Sequence, residues 1–160
     1  MVTEEFKKIA VSFAGGDGGN PKSEVWFCGL EWGIGDESSP DDFYEKFSLS
    51  PKLIPHSWVE DDFDGSWTTQ YNRKICWFLW YYYNLDWKNG ESAEHFVKKY
   101  DVLYPQGIGF KLNMLPINFK NRSSIKWNEQ FIKITGFETF NEYREWCVEN
   151  RGAFYRQLID

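Results

Sequence analysis

Cysteine is scarce in this 160-residue chain, and histidine is scarcer still. Cys28, Cys76 and Cys147 are far apart and form no Cys-x-x-Cys pair. An odd number of cysteines without a framework is typical of reduced intracellular thiols and not of a disulfide scaffold. The two histidines, His56 and His95, do not have the spacing to these cysteines that a zinc site needs. We therefore expect no metal and no cofactor.

Long apolar runs are also missing, and we expect no secretory leader. The longest apolar run covers residues 75–83, well short of the roughly 20 residues that a transmembrane helix needs. Residues 1–5 have neither the basic segment nor the apolar stretch of a secretory signal peptide. These features predict a cytoplasmic protein without a membrane segment.

Positive charge is in the minority, at 18 Lys and Arg against 24 Asp and Glu. The net charge of −6 excludes a protein whose whole surface binds nucleic acid. The distribution is uneven, because residues 40–64 hold seven acids and residues 111–133 hold five bases. Three of those bases, Lys120, Arg122 and Lys126, are candidates for contacts with a nucleic-acid backbone. The alternative is a solvated basic loop, which is the commoner meaning of such a run.

Aromatic residues are abundant, at 20% of the chain, and the aliphatic residues are correspondingly few. We expect large rings to build the core and some of them to line a surface cleft. The tryptophans and tyrosines over residues 77–83 are interpreted as core and not as a carbohydrate platform.

Periodicity and turn residues predict a single α/β domain over residues 1–160. We expect a three-layer arrangement in which a short parallel sheet is flanked by helices. A capping box at Thr139–Glu142 predicts the start of the last helix. The helix over 68–83 has its apolar stripe at Tyr71, Ile75, Phe78, Leu79 and Tyr82. Strands are predicted at 9–13, 24–29 and 110–115, and helices at about 40–47, 68–83, 92–100, 127–134 and 139–158.

The most informative segment follows the strand over 24–29, where Glu31 lies between Gly29 and Gly33. A carboxylate at the carboxyl end of a buried strand lies where α/β proteins bind their ligands. Glu31 could position or deprotonate a water molecule there. The alternative is a surface turn with a helix-capping acid.

The strand over 110–115 contains Asn113, whose amide can donate and accept hydrogen bonds at once. Such an amide suits the edge of a nucleobase. The alternative is an asparagine that satisfies loop backbone.

Together these two segments, residues 25–33 and 110–116, resemble the first half of the uracil-DNA glycosylase superfamily. The resemblance implies a parallel sheet between helices and a first motif that aims a water at the glycosidic carbon. Gly29 and Gly33 match the framing glycines of that motif, and Glu31 falls at its water-positioning residue. Leu30 and Trp32 complete the motif, with Trp32 in place of a proline.

The same resemblance implies two contacts with a flipped base. Asn113 matches the asparagine that reads the uracil edge. Phe43 or Tyr44 could supply the ring on which the base stacks. The substrate-binding set is then Gly29, Leu30, Trp32, Gly33, Phe43, Tyr44 and Asn113, with Glu31 as the catalytic residue.

The chain departs from the family in one respect. The second motif of the family supplies a histidine after the last strand, whereas His56 and His95 lie elsewhere in this chain. The resemblance covers about two-thirds of the family fold. We expect either the N-terminal part of a longer protein or a reduced form without the chemistry. An incomplete sheet would be covered by a homodimer or by residues 9–13 as an antiparallel edge strand.

Three candidate functions follow from these observations. The first is a uracil-DNA glycosylase-like domain that binds a nucleobase, a nucleotide or DNA and, in a complete protein, hydrolyses an N-glycosidic bond. The alternative is a non-enzymatic regulator, similar to a transcriptional regulator, that binds nucleic acid or another ligand in the same pocket. A third reading is a partner-binding domain that uses exposed aromatic residues. The sequence does not name the base or the partner.

Overall fold

The computed structural model describes residues 1–15, 18–30, 51–55, 70–88, 91–117 and 127–159. This part of the chain forms helices and a small mixed sheet flanked by helices, which confirms the predicted α/β class. The helices are α1 (Glu4–Ala10), α2 (Gln70–Tyr82), α3 (Ala93–Lys99), α4 (Glu129–Thr135) and α5 (Phe140–Ile159). The strands are β1 (Gly18–Gly19), β2 (Trp26–Gly29) and β3 (Phe110–Asn113), in the order β1-β3-β2.

The two strands predicted most clearly, β2 and β3, are parallel neighbours. The amide of Phe110 donates to the carbonyl of Val25 at 3.0 Å, and the amide of Met114 donates to the carbonyl of Gly29 at 2.9 Å. The chain advances four residues in the same direction on both strands between these bonds, which is the pattern of a parallel pair. All four residues of β3 are buried, whereas those of β2 are half-buried or exposed.

The sheet is mixed and not purely parallel, because β1 pairs antiparallel with β3. Gly18 lies opposite Lys111, and Gly19 lies opposite Phe110. These two residues lie outside the predicted strands. Gly19 has a φ of +97°, and a Cβ there would lie 2.6 Å from the carbonyl oxygen of Gly109. A side chain would therefore prevent this close pairing.

The strand predicted over residues 9–13 is wrong, since residues 4–10 form helix α1. Thr3 is the N-cap, and its hydroxyl accepts a hydrogen bond from the amide of Phe6 at 3.1 Å. Phe6, Ile9 and Ala10 are fully buried at helical spacing, whereas Val11 is exposed. Ile9 therefore belongs to the buried stripe of a helix, and its alternation with Val11 in the sequence does not indicate a strand. The antiparallel edge of the sheet is β1 and not this segment.

The described residues group into two compact units. The first unit comprises residues 1–15, 28–30, 51–54, 112–117 and 127–159. Helix α5 contributes a buried residue at every fourth position, which is the spacing of one helix face. The core of this unit consists of Phe6, Ala10, Leu115, Ile117, Phe131, Tyr143 and Cys147.

The second unit comprises residues 18–27, 55, 70–88 and 91–111. Helix α2 buries Ile75, Cys76 and Leu79, whereas Tyr71, Phe78 and Tyr82 of the predicted stripe are exposed. The helix carries apolar side chains on several of its faces, so its sequence is compatible with more than one buried stripe. The core of this unit consists of Val25, Ile75, Cys76, Leu79, Phe96, Val97, Val102 and Leu103.

The interpretation of residues 77–83 as core is also wrong for most of the rings in that segment. Trp77 is 48% exposed, and Tyr81 is 85% exposed. Trp80 and Tyr82 are exposed as well. The apolar side chains of α2 that pack into the core are Ile75, Cys76 and Leu79, which cluster with Phe96 and Val97 of the neighbouring helix α3.

The helix starts predicted at Ser92 and Thr139 are confirmed. The Ser92 hydroxyl accepts from the amide of His95 at 3.1 Å. Thr139 and Glu142 form the predicted capping box, each side chain accepting from the other residue's amide at 3.2 Å.

The helix predicted at 40–47 lies outside the described residues, and the single domain stays a prediction. No helix in the described part of the chain is long and apolar enough to span a membrane.

Candidate functional site

The carboxyl ends of β2 and β3 are neighbours, as their predicted parallel order required. The amide of Met114 donates to the carbonyl of Gly29 at 2.9 Å, and the amide of Leu115 donates to the carbonyl of Leu30 at 2.7 Å. The two segments that carry the family resemblance therefore leave the sheet side by side. Ligands of α/β proteins bind at this edge of a sheet.

Asn113 is the polar side chain at the end of β3, and it is only 1% exposed. Its Nδ2 donates to the carbonyl of Gly15 at 2.8 Å. Its Oδ1 lies 2.5 Å from the position that a Cβ on Gly29 would take. The Asn113 amide therefore packs against the bare backbone of Gly29 and links β3 to the turn after α1. This contact fits the alternative of an asparagine that satisfies loop backbone, and the base-reading role stays a prediction.

Arg151 of helix α5 is fully buried behind this strand end. Its Nε donates to the carbonyl of Asn113 at 2.9 Å, and its Nη1 donates to the carbonyls of Ala10 at 2.8 Å and Ser12 at 3.1 Å. Its Nη2 donates to the carbonyl of Ala14. One guanidinium thus connects the end of β3 with three alternate residues, from the last residue of α1 into the turn that follows it. The planar fork of donors makes this arrangement specific to arginine.

Arg151 is not among the predicted site residues, although the sequence carries a signal for it. Arg151 lies four residues after Cys147 and eight after Tyr143, on the apolar face of the predicted last helix. A charged residue on such a face is rare unless it is fully hydrogen-bonded. The face continues at Tyr155, whose hydroxyl lies 3.2 Å from the carbonyl of Asn113 and whose ring centroid lies 5.2 Å from the guanidinium.

Ser12 fixes the turn that Arg151 binds. Its hydroxyl donates to the carbonyl of Ile9 at 2.7 Å and accepts from the amide of Lys52 at 3.1 Å. The amide of Phe13 donates to the carbonyl of Lys52 at 2.9 Å. Residues 51–54 are therefore tied by backbone hydrogen bonds to the same turn. The result is a rigid polar frame around the end of β3.

The ionisable groups next to Arg151 are held neutral by burial. Desolvation raises the pKa of Tyr143 well above its ordinary value of 10.0. Desolvation also raises the pKa of Cys147 from 9.0 to about 12, and the nearby Arg151 lowers it only in part. Both groups therefore stay protonated near neutral pH, so neither is available there as a base or as an anionic nucleophile. The described part of this region is therefore a hydrogen-bonded scaffold.

Most of the predicted site residues lie in those adjoining segments. Gly29 and Leu30 are described, and the Leu30 side chain is exposed. The histidine His95 lies on α3, where its Nε2 is 2.8 Å from Glu91. No group of three or more His, Cys, Asp or Glu in the described ranges could hold a metal ion. Outside the described residues lie Glu31, Trp32, Gly33, Phe43, Tyr44, His56, Lys120, Arg122 and Lys126.

One base of the basic run, Lys111, lies inside the second unit. Its side chain is buried, with Nζ 3.4 Å from Oδ1 of Asn72 and 5.1 Å from the ring centroid of Tyr71. Lys111 therefore does not contribute to a solvent-facing basic strip.

No family model, curated protein or solved structure matches this chain.

Proposed function

We propose that this chain is an α/β domain that binds a nucleobase or nucleotide at the carboxyl ends of β2 and β3, in the manner of the uracil-DNA glycosylase superfamily. The parallel pairing of these strands carries the proposal, because it brings Leu30 beside Leu115 at 2.7 Å. Glu31 follows Leu30 directly in the chain, and Asn113 precedes Leu115 by two residues. The two polar side chains of the resemblance thus start from adjacent strand ends.

In this proposal Glu31 is the residue that positions a water molecule. Hydrolysis of an N-glycosidic bond passes through a transition state with oxocarbenium character, which a nearby carboxylate stabilises electrostatically. The target nucleotide would be flipped out of its stack and held by Trp32, Gly33 and one ring from Phe43 or Tyr44. The rigid frame around Asn113 and Arg151 would hold the strand end in place while the base binds.

A second candidate is a regulator that binds its ligand without turnover. The specific observation in its favour is the Asn113 amide, which is buried and donates to Gly15. An amide engaged in this way contributes to the scaffold and leaves less capacity for a base edge. The histidine of the family's second motif also has no counterpart after β3 in this sequence.

A uracil-containing single-stranded oligonucleotide tests both candidates. The full chain, Glu31→Gln and the matched control Glu145→Gln are assayed for abasic-site formation and for binding by fluorescence anisotropy. Turnover that is lost in Glu31→Gln and kept in Glu145→Gln supports the glycosylase. Binding without turnover supports the regulator. The absence of both binding and turnover overturns the proposed function.

Any nucleic-acid backbone contact is proposed to run through Lys120, Arg122 and Lys126. Replacing all three with Ala should flatten the dependence of log K on log salt, because each phosphate contact adds to this slope. The control replaces Lys8, Lys22 and Lys88, which removes the same charge elsewhere. Equal slopes in the two triple variants would refute this route.

We also propose that two copies associate through the edge at β2. In the described sheet β2 is an outer strand, and its residues are half-buried or exposed. Open strand edges are templates for pairing. Sedimentation of the chain at micromolar concentration should show a dimer. Val25 and Gly29 face β3, so Trp26 directs its backbone N–H to the outer edge, and Trp26→Pro should dissociate the dimer because proline removes this donor. A strict monomer would refute this part of the proposal.

A further inference from the structure

A cleft of about 600 Å³ lies directly after helix α2, in the second unit. Its volume is within the range of small-molecule sites, roughly 300–1,000 Å³. The nucleobase proposal above uses none of the residues that form it. The cleft is lined by Trp80, Tyr81, Asn84, Leu85, Asp86 and Trp87.

The backbone of this cleft is fixed by the way α2 ends. Asn84 has a φ of +51°, in the left-handed region. The amide of Asn84 donates to the carbonyl of Tyr81 at 3.3 Å, and the amide of Leu85 donates to the carbonyl of Trp80 at 2.9 Å. These two bonds form a Schellman motif, which reverses the chain at the helix end. The reversal places residues 84–87 back against the last turn of α2.

The returning segment is held in place from helix α3. The hydroxyl of Tyr100 accepts from the amide of Asp86 at 2.9 Å and donates to its carbonyl at 2.8 Å. The Nζ of Lys99 donates to the same carbonyl at 3.0 Å. Three hydrogen bonds therefore fix the backbone of Asp86. A ligand would meet a cleft that needs little reorganisation, which is favourable for binding.

The aromatic walls of the cleft differ in their accessibility. One face of Trp87 is stacked on Phe96, with ring centroids 4.5 Å apart, and its indole N–H donates to the carbonyl of Glu91 at 3.0 Å. The ring of Trp80 stands at 89° to Trp87 and is 41% exposed. Trp80 and Tyr81 are thus the accessible rings, supported by a fixed Trp87.

The polar groups of the cleft are a carboxylate and an amide. The side chain of Asp86 is 67% exposed, and its Oδ2 lies 3.7 Å from the Nζ of Lys99. The side chain of Asn84 is exposed beside it. A carboxylate accepts two hydrogen bonds side by side, and an amide both donates and accepts. This combination matches adjacent hydroxyl groups on one ring.

We propose that this cleft binds a saccharide, with the C–H face of a pyranose ring on Trp80 or Tyr81 and its hydroxyls on Asp86 and Asn84. The weakly positive C–H groups of a sugar face are attracted to the negative face of an aromatic ring. Two observations favour a neutral polyol over an organic cation. Lys99 already balances the charge of Asp86. Phe96 covers one face of Trp87, so that the rings form a platform and not an enclosing cage.

The test uses the indole N–H signals of the full chain in a heteronuclear NMR spectrum, since each of the nine tryptophans gives one signal. The probes are maltose, cellobiose and N,N′-diacetylchitobiose, each titrated to tens of millimolar, with tetramethylammonium chloride as the cation probe. Trp80→Phe and Trp87→Phe assign the two cleft signals. We expect at least one disaccharide to shift them with a dissociation constant on the order of 1 mM, as suits an open site.

Three variants connect the shift to the cleft. Tyr81→Ala and Asp86→Ala should each weaken the disaccharide at least fivefold. The control Trp77→Ala, which removes an exposed ring from the same helix outside the cleft, should leave binding unchanged. Far-UV circular dichroism checks that each variant is folded. The proposal is overturned if no disaccharide shifts the signals, if Trp77→Ala weakens binding as much as Tyr81→Ala, or if only tetramethylammonium binds.

Discussion

The Nε atom of Arg151 lies 2.9 Å from the carbonyl oxygen of Asn113, although 38 residues separate them in the chain. This contact joins α5, the longest of the described helices, to the end of the central strand β3. The same guanidinium holds the carbonyls of Ala10, Ser12 and Ala14. Arg151 therefore determines the geometry of the strand end from which the proposed ligand site starts.

Replacing Arg151 with Met should lower the free energy of unfolding by about 3 kcal/mol or more, because buried carbonyls lose a charged donor. Arg156→Met is the control, since Arg156 is exposed on the same helix, and it should change stability by less than about 0.5 kcal/mol. Urea denaturation followed by circular dichroism measures both. Equal stability of the two variants would contradict a central role for Arg151.

Gly29 and Asn113 should behave as an energetically coupled pair. A Cβ on Gly29 would lie 2.5 Å from Oδ1 of Asn113, so Gly29→Ala must displace the amide from Gly15. We expect Gly29→Ala to destabilise the chain by about 1–3 kcal/mol. In an Asn113→Ala background the same substitution should cost less than about 0.5 kcal/mol, because the clash is gone. A double-mutant cycle by urea denaturation measures the coupling, and additive effects would contradict it.

Stability should fall in alkaline solution because of the buried thiols. Burial raises the pKa of Cys76 from 9.0 to about 12. Below pH 9 the thiol is protonated in both states, but between about pH 9 and pH 12 only the unfolded chain releases the proton. The free energy of unfolding therefore decreases as pH rises, by about 1.4 kcal/mol per pH unit for each such thiol.

Cys76→Ala isolates this contribution. The loss of stability between about pH 8 and about pH 10.5 should be smaller in Cys76→Ala than in the unmodified chain, whatever the variant's absolute stability. Cys28→Ala, which removes an exposed thiol, serves as the control and should keep the full loss. Urea titrations under reducing conditions give the free energy of unfolding of each chain at both pH values. Identical pH dependence of Cys76→Ala and the unmodified chain would refute the effect.

The capping box of helix α5 should contribute measurably to stability. Thr139→Ala removes the hydroxyl that accepts from the amide of Glu142, and we expect a loss of about 1 kcal/mol. Thr139→Ser keeps an acceptor at the same position and should restore most of the loss. Thermal unfolding by calorimetry compares the three chains. A Thr139→Ala chain as stable as Thr139→Ser would show that the cap is energetically neutral.

The sequence alone predicted the features that depend on neighbouring residues. The caps at Ser92 and Thr139 are examples, because a side chain that accepts from an amide three residues later needs no tertiary contact. Strand β3 was also predictable, since its apolar run ends at Pro116. The parallel pairing of β2 with β3 followed from the helices between them. The predicted roles of Glu31 and Asn113 stay predictions.

Only the tertiary structure decided which residues face the core. Helix α2 has apolar side chains on every side, so the choice of Ile75 and Leu79 over Tyr71 and Tyr82 depended on what fits against α3. Residues 4–10 form a helix and not a strand, because the helix buries Phe6, Ile9 and Ala10. The alternation of apolar residues in the sequence does not reveal which side chains are buried by tertiary contacts.

The burial of Arg151 has the same cause. Its four carbonyl acceptors lie up to 141 residues away in the chain, and no local pattern brings them together. The sequence by itself determined the helices with local caps and the two parallel strands. The tertiary structure decided the mixed sheet, the buried arginine and the aromatic cleft after α2, because each depends on contacts between segments that are distant in sequence.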